Sequence, residues 1–260
     1  MSLSDWDGFS PIFQSQFVGL KNFIYLIRDD VFQICLKNTI IYTLLNIPLT
    51  LGIALGIALL LNLKVKFRAV FRTMFFAPTY TSIVTVSIIW IYMYHPYYGL
   101  FNEVLSFFGL PRLLWLRGAN TSLISCLIMN LWMWAGYNSI ITLAGLQDIP
   151  QVYYEAAEVD GASIFARFRY ITLPLLKPVL LYQLVVISVT SFQVFTSVFV
   201  LTQGGPGNSS NVLALYMYNL AFQWGRFSLA SAIAIMLFLI SLLLTLIEIR
   251  LLRKGGVVWW

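Results

Sequence analysis

Long uncharged apolar stretches set the elements of this chain. No Asp, Glu, Lys or Arg occurs between Asn38 and Leu63, between Thr73 and Asn102, or between Ala119 and Gln147. A helix crossing a bilayer needs about 20 apolar residues, because each adds about 1.5 Å across a core of about 30 Å. Each stretch therefore predicts one span, the second ending near Tyr94. The uncharged run from Pro178 to Gly225 exceeds one span and is broken by Gly204, Gly205, Pro206, Gly207 and Asn208, a turn cluster. It predicts a fourth span over Val179–Leu201, an ordered loop, and a short interfacial helix near Val212–Phe222. The fifth span runs from Phe227 to Ile247. The fold class is an all-α membrane protein with five transmembrane helices, since barrel strands would read as short alternating segments.

Basic residues set the orientation. Lys64, Lys66, Arg68 and Arg72 crowd the first loop, Arg167, Arg169 and Lys177 the third, and Arg250, Arg253 and Lys254 follow the last span. The remaining six, Lys21, Arg28, Lys37, Arg112, Arg117 and Arg226, are sparse. The dense side is cytoplasmic, which puts the N-terminus outside and the C-terminus inside. Residues 1–35 then form an extracytoplasmic segment, 36–254 the membrane domain and 255–260 a tail. Residues 1–31 lack the apolar core of a signal peptide, and Phe17, Val18, Leu20, Phe23 and Leu26 suggest a short helix on the outer surface.

Composition agrees. The 260 residues are 60% apolar and 10% charged, where soluble domains are about 45–50% and about 25%. That argues against a soluble enzyme, a disordered chain and a nucleic-acid binder, and the net charge of +6 is mainly an orientation signal. Cys35 and Cys126 have no CxxC partner and His95 is the only histidine, so neither a disulfide framework nor a metal site is expected. His95 before Pro96 reads as a turn residue, and Tyr92, Tyr94, Tyr97 and Tyr98 as an interfacial belt. No nucleophilic triad, HExxH or phosphate loop is present, so no catalytic residue is assigned. The spans hold almost no ionisable groups, Lys37 and Glu248 lying at their ends, which weakens an ion-coupled transporter. A membrane enzyme and a structural subunit without a pathway are the other rivals.

The third loop, 148–177, carries the most information. Asp148 and Pro150 suit a helix start, and Val152, Ala156 and Val159 then share a face. Gly161 can take a positive φ and end that helix. Ser163 can cap a second one bearing Ile164, Phe165 and Phe168, stopped by Pro174 before the fourth span. Two short amphipathic helices would form a cytoplasmic knob, docking a partner or lying on the bilayer surface.

The loop also carries Glu155-Ala156-Ala157, Gly161 after three residues, and Ile171-x-Leu173-Pro174 after nine more. This resembles the EAA signature of membrane permease subunits of bacterial binding-protein-dependent ABC importers. Phe71-Arg72-Thr-Met-Phe-Phe-Ala-Pro78, Ala144-Gly145-Leu146-Gln147-x-Ile149-Pro150, Leu201-Thr202-x-Gly204-Gly205-Pro206 and Val18-Gly19-Leu20-Lys21-Asn22-Phe23 resemble the carbohydrate-uptake branch, of the maltose-permease and glycerol-phosphate-permease kind. Members usually open with a further apolar span. This chain shows none, so the type I permease fold is expected without that span.

The resemblance implies a multi-pass protein of the bacterial inner membrane that pairs with a second, related permease. Two ATPase subunits beneath would bind ATP and Mg, leaving this chain without a cofactor, and an extracytoplasmic solute-binding protein would deliver a sugar. Tyr154, Glu155, Ala156, Ala157, Asp160, Gly161 and Ala162 would couple to the ATPases. In sugar permeases the span before the signature contributes to the substrate site, at positions matching Asn130, Trp134 and Tyr137.

A sugar path wants amides, hydroxyls and aromatic faces. Asn130, Trp134 and Asn138 recur at i, i+4, i+8, with Tyr137 beside them. Thr190, Ser191 and Gln193, with Gln183 nearby, and Thr79, Tyr80 and Ser82 after Pro78 complete the candidates. The plainer reading is that such polar residues join helices. A polyol or glycerol phosphate is the alternative substrate, although a phosphate calls for Arg or Lys near the path and these positions offer none.

Overall fold

The computed structural model describes residues 1–254 apart from Asp7, Phe9, Ile12, Gln14, Lys64 and Val65, with the side chains of Arg68 and of residues 251–254 also left aside. Lys64, the heads of Arg68, Arg253 and Lys254, and the tail 255–260 thus lie outside the described residues.

A two-stranded antiparallel ribbon, β1 (Ser4–Asp5) with β2 (Gln16–Phe17), opens the chain. Then follow α1 (Lys21–Arg28), α2 (Asp30–Asn62), α3 (Arg68–Phe76), α4 (Ile83–Met93), α5 (Leu100–Phe107) and α6 (Ser122–Gln147). The second half holds α7 (Gln151–Val159), α8 (Ile164–Arg167), α9 (Leu173–Phe192), α10 (Thr196–Leu201), α11 (Leu213–Tyr218) and α12 (Phe227–Lys254). Among the described residues, four helical stretches are long and apolar enough to cross a membrane: Asp30–Asn62, Ser122–Gln147, Ile164–Phe192 and Phe227–Arg250. A bent pair, α3 with its 3₁₀ turn Ala77–Tyr80 followed by α4, makes a fifth if taken as one span.

With the bent pair taken as one span the count matches the five that the hydropathy predicts, but two differ in construction. The second is interrupted at Thr81–Ser82, just after Pro78. The fourth runs over Ile164–Phe192, not Val179–Leu201, and α10 is a separate helix beyond Gln193. Pro174 does not stop it. The segment Phe168–Thr172 is a π turn in which the Leu173 N–H reaches the Phe168 carbonyl five residues back. Proline lacks a donor and crowds the carbonyl four residues before it, here Tyr170, inside the widened turn.

The chain divides into two compact units. The first comprises Met1–Leu45, Ser82–Asn130 and Ser188–Leu244. Its core joins Leu26, Phe32 and Cys35 to Leu213, Tyr216, Leu220, Ile233 and Leu237. The glycine-rich loop is pinned by polar residues of α2. Asn38 Nδ2 donates to the carbonyls of Asn208 and Asn211, each at 2.9 Å, and Thr39 Oγ1 accepts from the Leu213 N–H at 3.0 Å. Here α11 is buried, not interfacial, because Leu213 and Tyr216 enter that core and Leu215 is buried as well. Tyr216 donates to Asp29 at 2.6 Å, and burial together with that carboxylate pushes its phenol above the ordinary range. The tyrosine belt is only partly a belt. Tyr92, Tyr97 and Tyr98 are exposed, but Tyr94 is buried among Trp90, Phe101 and Trp115 and donates to the Ser125 carbonyl. His95 stacks on Tyr98 and accepts the Tyr97 N–H, as a turn residue does.

The second unit comprises, among the described residues, Asn46–Thr81, Leu131–Ile187 and the end of the chain from Thr245 to Lys254. Ala58, Leu61, Leu143, Leu146, Ile149 and Leu176 make its core. Two glycines of α6 allow close packing. A Cβ on Gly136 would collide with the Phe75 carbonyl, and one on Gly145 would lie 2.6 Å from Val179 Cγ2.

Candidate functional site

The elbow of α7 and α8 belongs to the second unit. Pro150, in extended backbone, precedes α7 and Asp160 closes it. Gly161 follows with φ +74° and open space around it, so it is the backbone conformation that calls for glycine there. The Ala162 N–H bonds back to the Ala157 carbonyl at 2.8 Å, satisfying an end group of α7. Ser163 Oγ then accepts the Ala166 N–H at 3.2 Å and caps α8.

Two contacts tie the elbow to itself and to α9. Arg167 on α8 pairs with Glu158 on α7 at 3.1 Å. An ion pair this exposed adds about 0–1 kcal/mol, so its main effect is on geometry. Tyr154 Oη lies 3.0 Å from Thr172 Oγ1, and Thr172 is buried in the π turn. Sequence reasoning placed Tyr154 here but missed Thr172, Glu158 and Arg167, because their meeting depends on the angle of the elbow. Of the other predicted positions, Glu155, Ala156, Asp160 and Gly161 are exposed, while Ala157 and Ala162 are half-buried. The apolar stripes face outward: Val159 is 89% exposed, Ile164 79% and Phe165 75%. Beside them opens a cavity of about 980 Å³, lined by residues including Leu60, Leu146, Tyr154, Phe165, Phe168 and Thr172.

The path candidates separate into two kinds. Asn130 is buried, and its amide donates to the Cys126 carbonyl at 3.0 Å and to Ser197 Oγ at 2.7 Å. Asn138 is also buried. Its amide donates to the Trp134 carbonyl, while its own carbonyl accepts Gln183 Nε2 at 2.7 Å. Thr142 Oγ1 lies 3.0 Å from both that carbonyl and Gln183 Oε1. Asn130 thus joins α6 to α10 and Gln183 joins α9 to the backbone of α6, while the Asn138 side chain bonds back within α6. Trp134 and Tyr137 are each 39% exposed and meet edge to face at 6.2 Å. Tyr80, Ser82, Thr190 and Gln193 are exposed and Ser191 is buried, while Thr79 donates to the Met133 carbonyl at 3.4 Å. Helical spacing put Asn130, Trp134 and Asn138 on one face; burial divides them. Among the described residues, no three His, Cys, Asp or Glu side chains cluster to hold a metal, and both cysteines are free and buried.

Residues 36–254 match the model of the family described as binding-protein-dependent transport system inner membrane component. The chain is similar to a probable ABC transporter permease protein, YurN, of Bacillus subtilis, with 34% identity over 98% of this chain and 88% of that one. It is similar to the trehalose/maltose transport system permease protein MalF of Thermococcus litoralis, with 35% identity over 91% and 80%. Among solved structures, a bacterial ABC transporter importing the acidic polysaccharide alginate has a chain that superposes with a TM-score of 0.84 at 27% identity, over 93% of this chain and 86% of that one.

Proposed function

The chain belongs to the family of binding-protein-dependent transport system inner membrane components, and from that premise we propose that it carries a neutral sugar or oligosaccharide across the membrane, driven by ATPase subunits gripping its elbow. It is a permease subunit of an ABC importer, which sets aside the ion-coupled secondary transporter. The observation that carries the coupling reading is the signature itself: Glu155, Ala156 and Gly161 stand exposed on an elbow whose apolar stripes are also exposed. Glu155 offers a carboxylate to a basic residue of an ATPase, and Ala156 and Ala157 allow close approach. Tyr154, Asp160 and Ala162 complete the contact.

In this reading two ATPase subunits hold ATP and Mg beneath the membrane, a second permease completes the path, and an extracytoplasmic solute-binding protein delivers the sugar. Moving such a complex from 1:99 to 99:1 between its two states takes about 5.5 kcal/mol of differential binding. That supply belongs to the ATPases. The relatives' names, trehalose/maltose and lactose among them, support a sugar. The path positions Thr79, Tyr80, Ser82, Asn130, Trp134, Tyr137, Asn138, Thr190, Ser191 and Gln193 carry no charge. This supports a neutral ligand over glycerol phosphate.

Glu155→Ala and Gly161→Pro test the coupling. Both variants should reach the membrane, yet the ATPase subunits should co-purify poorly, since truncating one partner of a buried interfacial charge pair costs about 2–5 kcal/mol. Normal co-purification with normal stimulated ATP hydrolysis in both would remove the elbow from the coupling.

A further inference from the structure

We infer that the hydrogen bond between Tyr154 and Thr172 is the latch that passes movement of the elbow into the membrane helix α9, and that the π turn Phe168–Thr172 is the joint it acts on. The inference rests on the coupling reading above and adds residues and a route to it. Three observations carry it. First, Tyr154 turns inward from the elbow: it is half-buried on α7 while its neighbours Tyr153 and Glu155 are exposed. Its hydroxyl spans 18 residues of sequence to reach Thr172 at 3.0 Å. Secondly, Thr172 is 5% exposed and ends the one stretch between Ile164 and Phe192 where the helix widens to i→i+5 bonding. Such turns hold one extra residue and accompany functional sites. Thr172 Oγ1 also lies 3.5 Å from the Arg167 carbonyl, so the hydroxyl pair touches both sides of the joint. Thirdly, Tyr154, Arg167, Phe168 and Thr172 all border the 980 Å³ cavity. Close-packed interiors resist small displacements; a cavity on one side of the joint leaves it room to turn.

Coupling between two sites needs a physical element with two arrangements that both sites bias. Here a pull on α7 would reach α9 through the latch, while the Glu158–Arg167 pair keeps α7 and α8 moving together. Both residues of the latch are positioning residues. They need touch neither nucleotide nor sugar, and Tyr154→Phe removes one oxygen without changing the shape of the ring.

The test uses the assembled importer, permeases with their ATPases, in lipid vesicles. Tyr182, exposed on α9, is replaced by cysteine as a reporter, and its rate of maleimide labelling is read with and without Mg-ATP. The native thiols are buried. Thr172→Val, which lies off the ATPase contact, should leave ATPase co-purification and ATP hydrolysis in place, and both Thr172→Val and Tyr154→Phe should cut the ATP-dependent change in labelling by about threefold or more. The double variant should be no worse than either single, the signature of one shared interaction. Tyr153→Phe should behave as the parent. If both single variants keep the full ATP response, or if their effects add, the latch is overturned while the coupling reading stands. If the parent reporter itself does not respond to ATP, the coupling reading fails and takes the latch with it.

Discussion

Gly136 shows how one missing carbon sets a helix contact. The place its Cβ would occupy is taken by the Phe75 carbonyl, a backbone atom that cannot swing aside as a side chain can. Gly136→Ala should therefore destabilise the protein by about 1–3 kcal/mol, the range for overpacking, read as a lower Tm in detergent. Gly145→Ala meets only the side chains of Leu176 and Val179 and should lower the Tm less. An equal fall in both would show that the backbone contact is not what limits Gly136. Burial likewise divides the third-span candidates. Trp134→Ala and Tyr137→Ala remove exposed aromatic faces, and should reduce uptake of the transported sugar without reducing the amount of protein in the membrane. Gln183→Leu removes two buried contacts to α6, and should cost stability, about 0.6–1.7 kcal/mol for polar contacts of this kind. Reversed outcomes, stability lost at Trp134 and uptake lost at Gln183, would exchange their roles. Gly161 was legible in the sequence because its role is local, a positive φ between two short helices. Gly136 was not legible, because its role depends on an α3 backbone carbonyl brought near by the fold.

At the level of elements, what could be read was whatever depends on neighbours along the chain. The uncharged runs announced the spans, and Ser163 announced α8, whose cap it supplies. The errors share one cause. Pro174 looked like a stop, because a proline inside regular α-helix costs a hydrogen bond and a clash. The helix answers by widening over Phe168–Thr172 before the proline, an accommodation that spacing alone does not reveal. Similarly α11 was read as interfacial from its place after a polar loop, but Thr39 and Asn38 hold that loop against α2 and bury it. The cap predicts a measurable effect. Ser163→Ala removes the acceptor of the Ala166 N–H, and should weaken the start of α8 by about 0.5–2 kcal/mol. Amide exchange should quicken at Ala166 and Arg167 while α6 is unaffected. Unchanged exchange at those two amides would mean that α8 is held by α9 alone.

For the whole molecule, hydropathy and basic residues speak to the bilayer rather than to internal packing, which is why fold class was plain from the sequence while the path was not. A sugar path is an arrangement of side chains from several helices, and each of Asn130, Ser191 and Gln193 suits either a ligand or a helix neighbour. Charge makes its own commitment. The dense basic loops predict that Lys66 is cytoplasmic and that the segment around Phe107 is outside. Both positions are exposed, and the native cysteines are buried, so single reporter cysteines can read the orientation. In intact cells, a membrane-impermeant maleimide should label Phe107→Cys readily. Lys66→Cys should react only after the membrane is opened. Because the elbow lies on the same side of the third and fourth spans as Lys66 does of the first and second, this one measurement also decides whether the elbow can meet an ATPase. Labelling of Lys66→Cys from outside would put the signature loop out of reach of cytoplasmic ATP and end the coupling mechanism, whatever the resemblance of the fold.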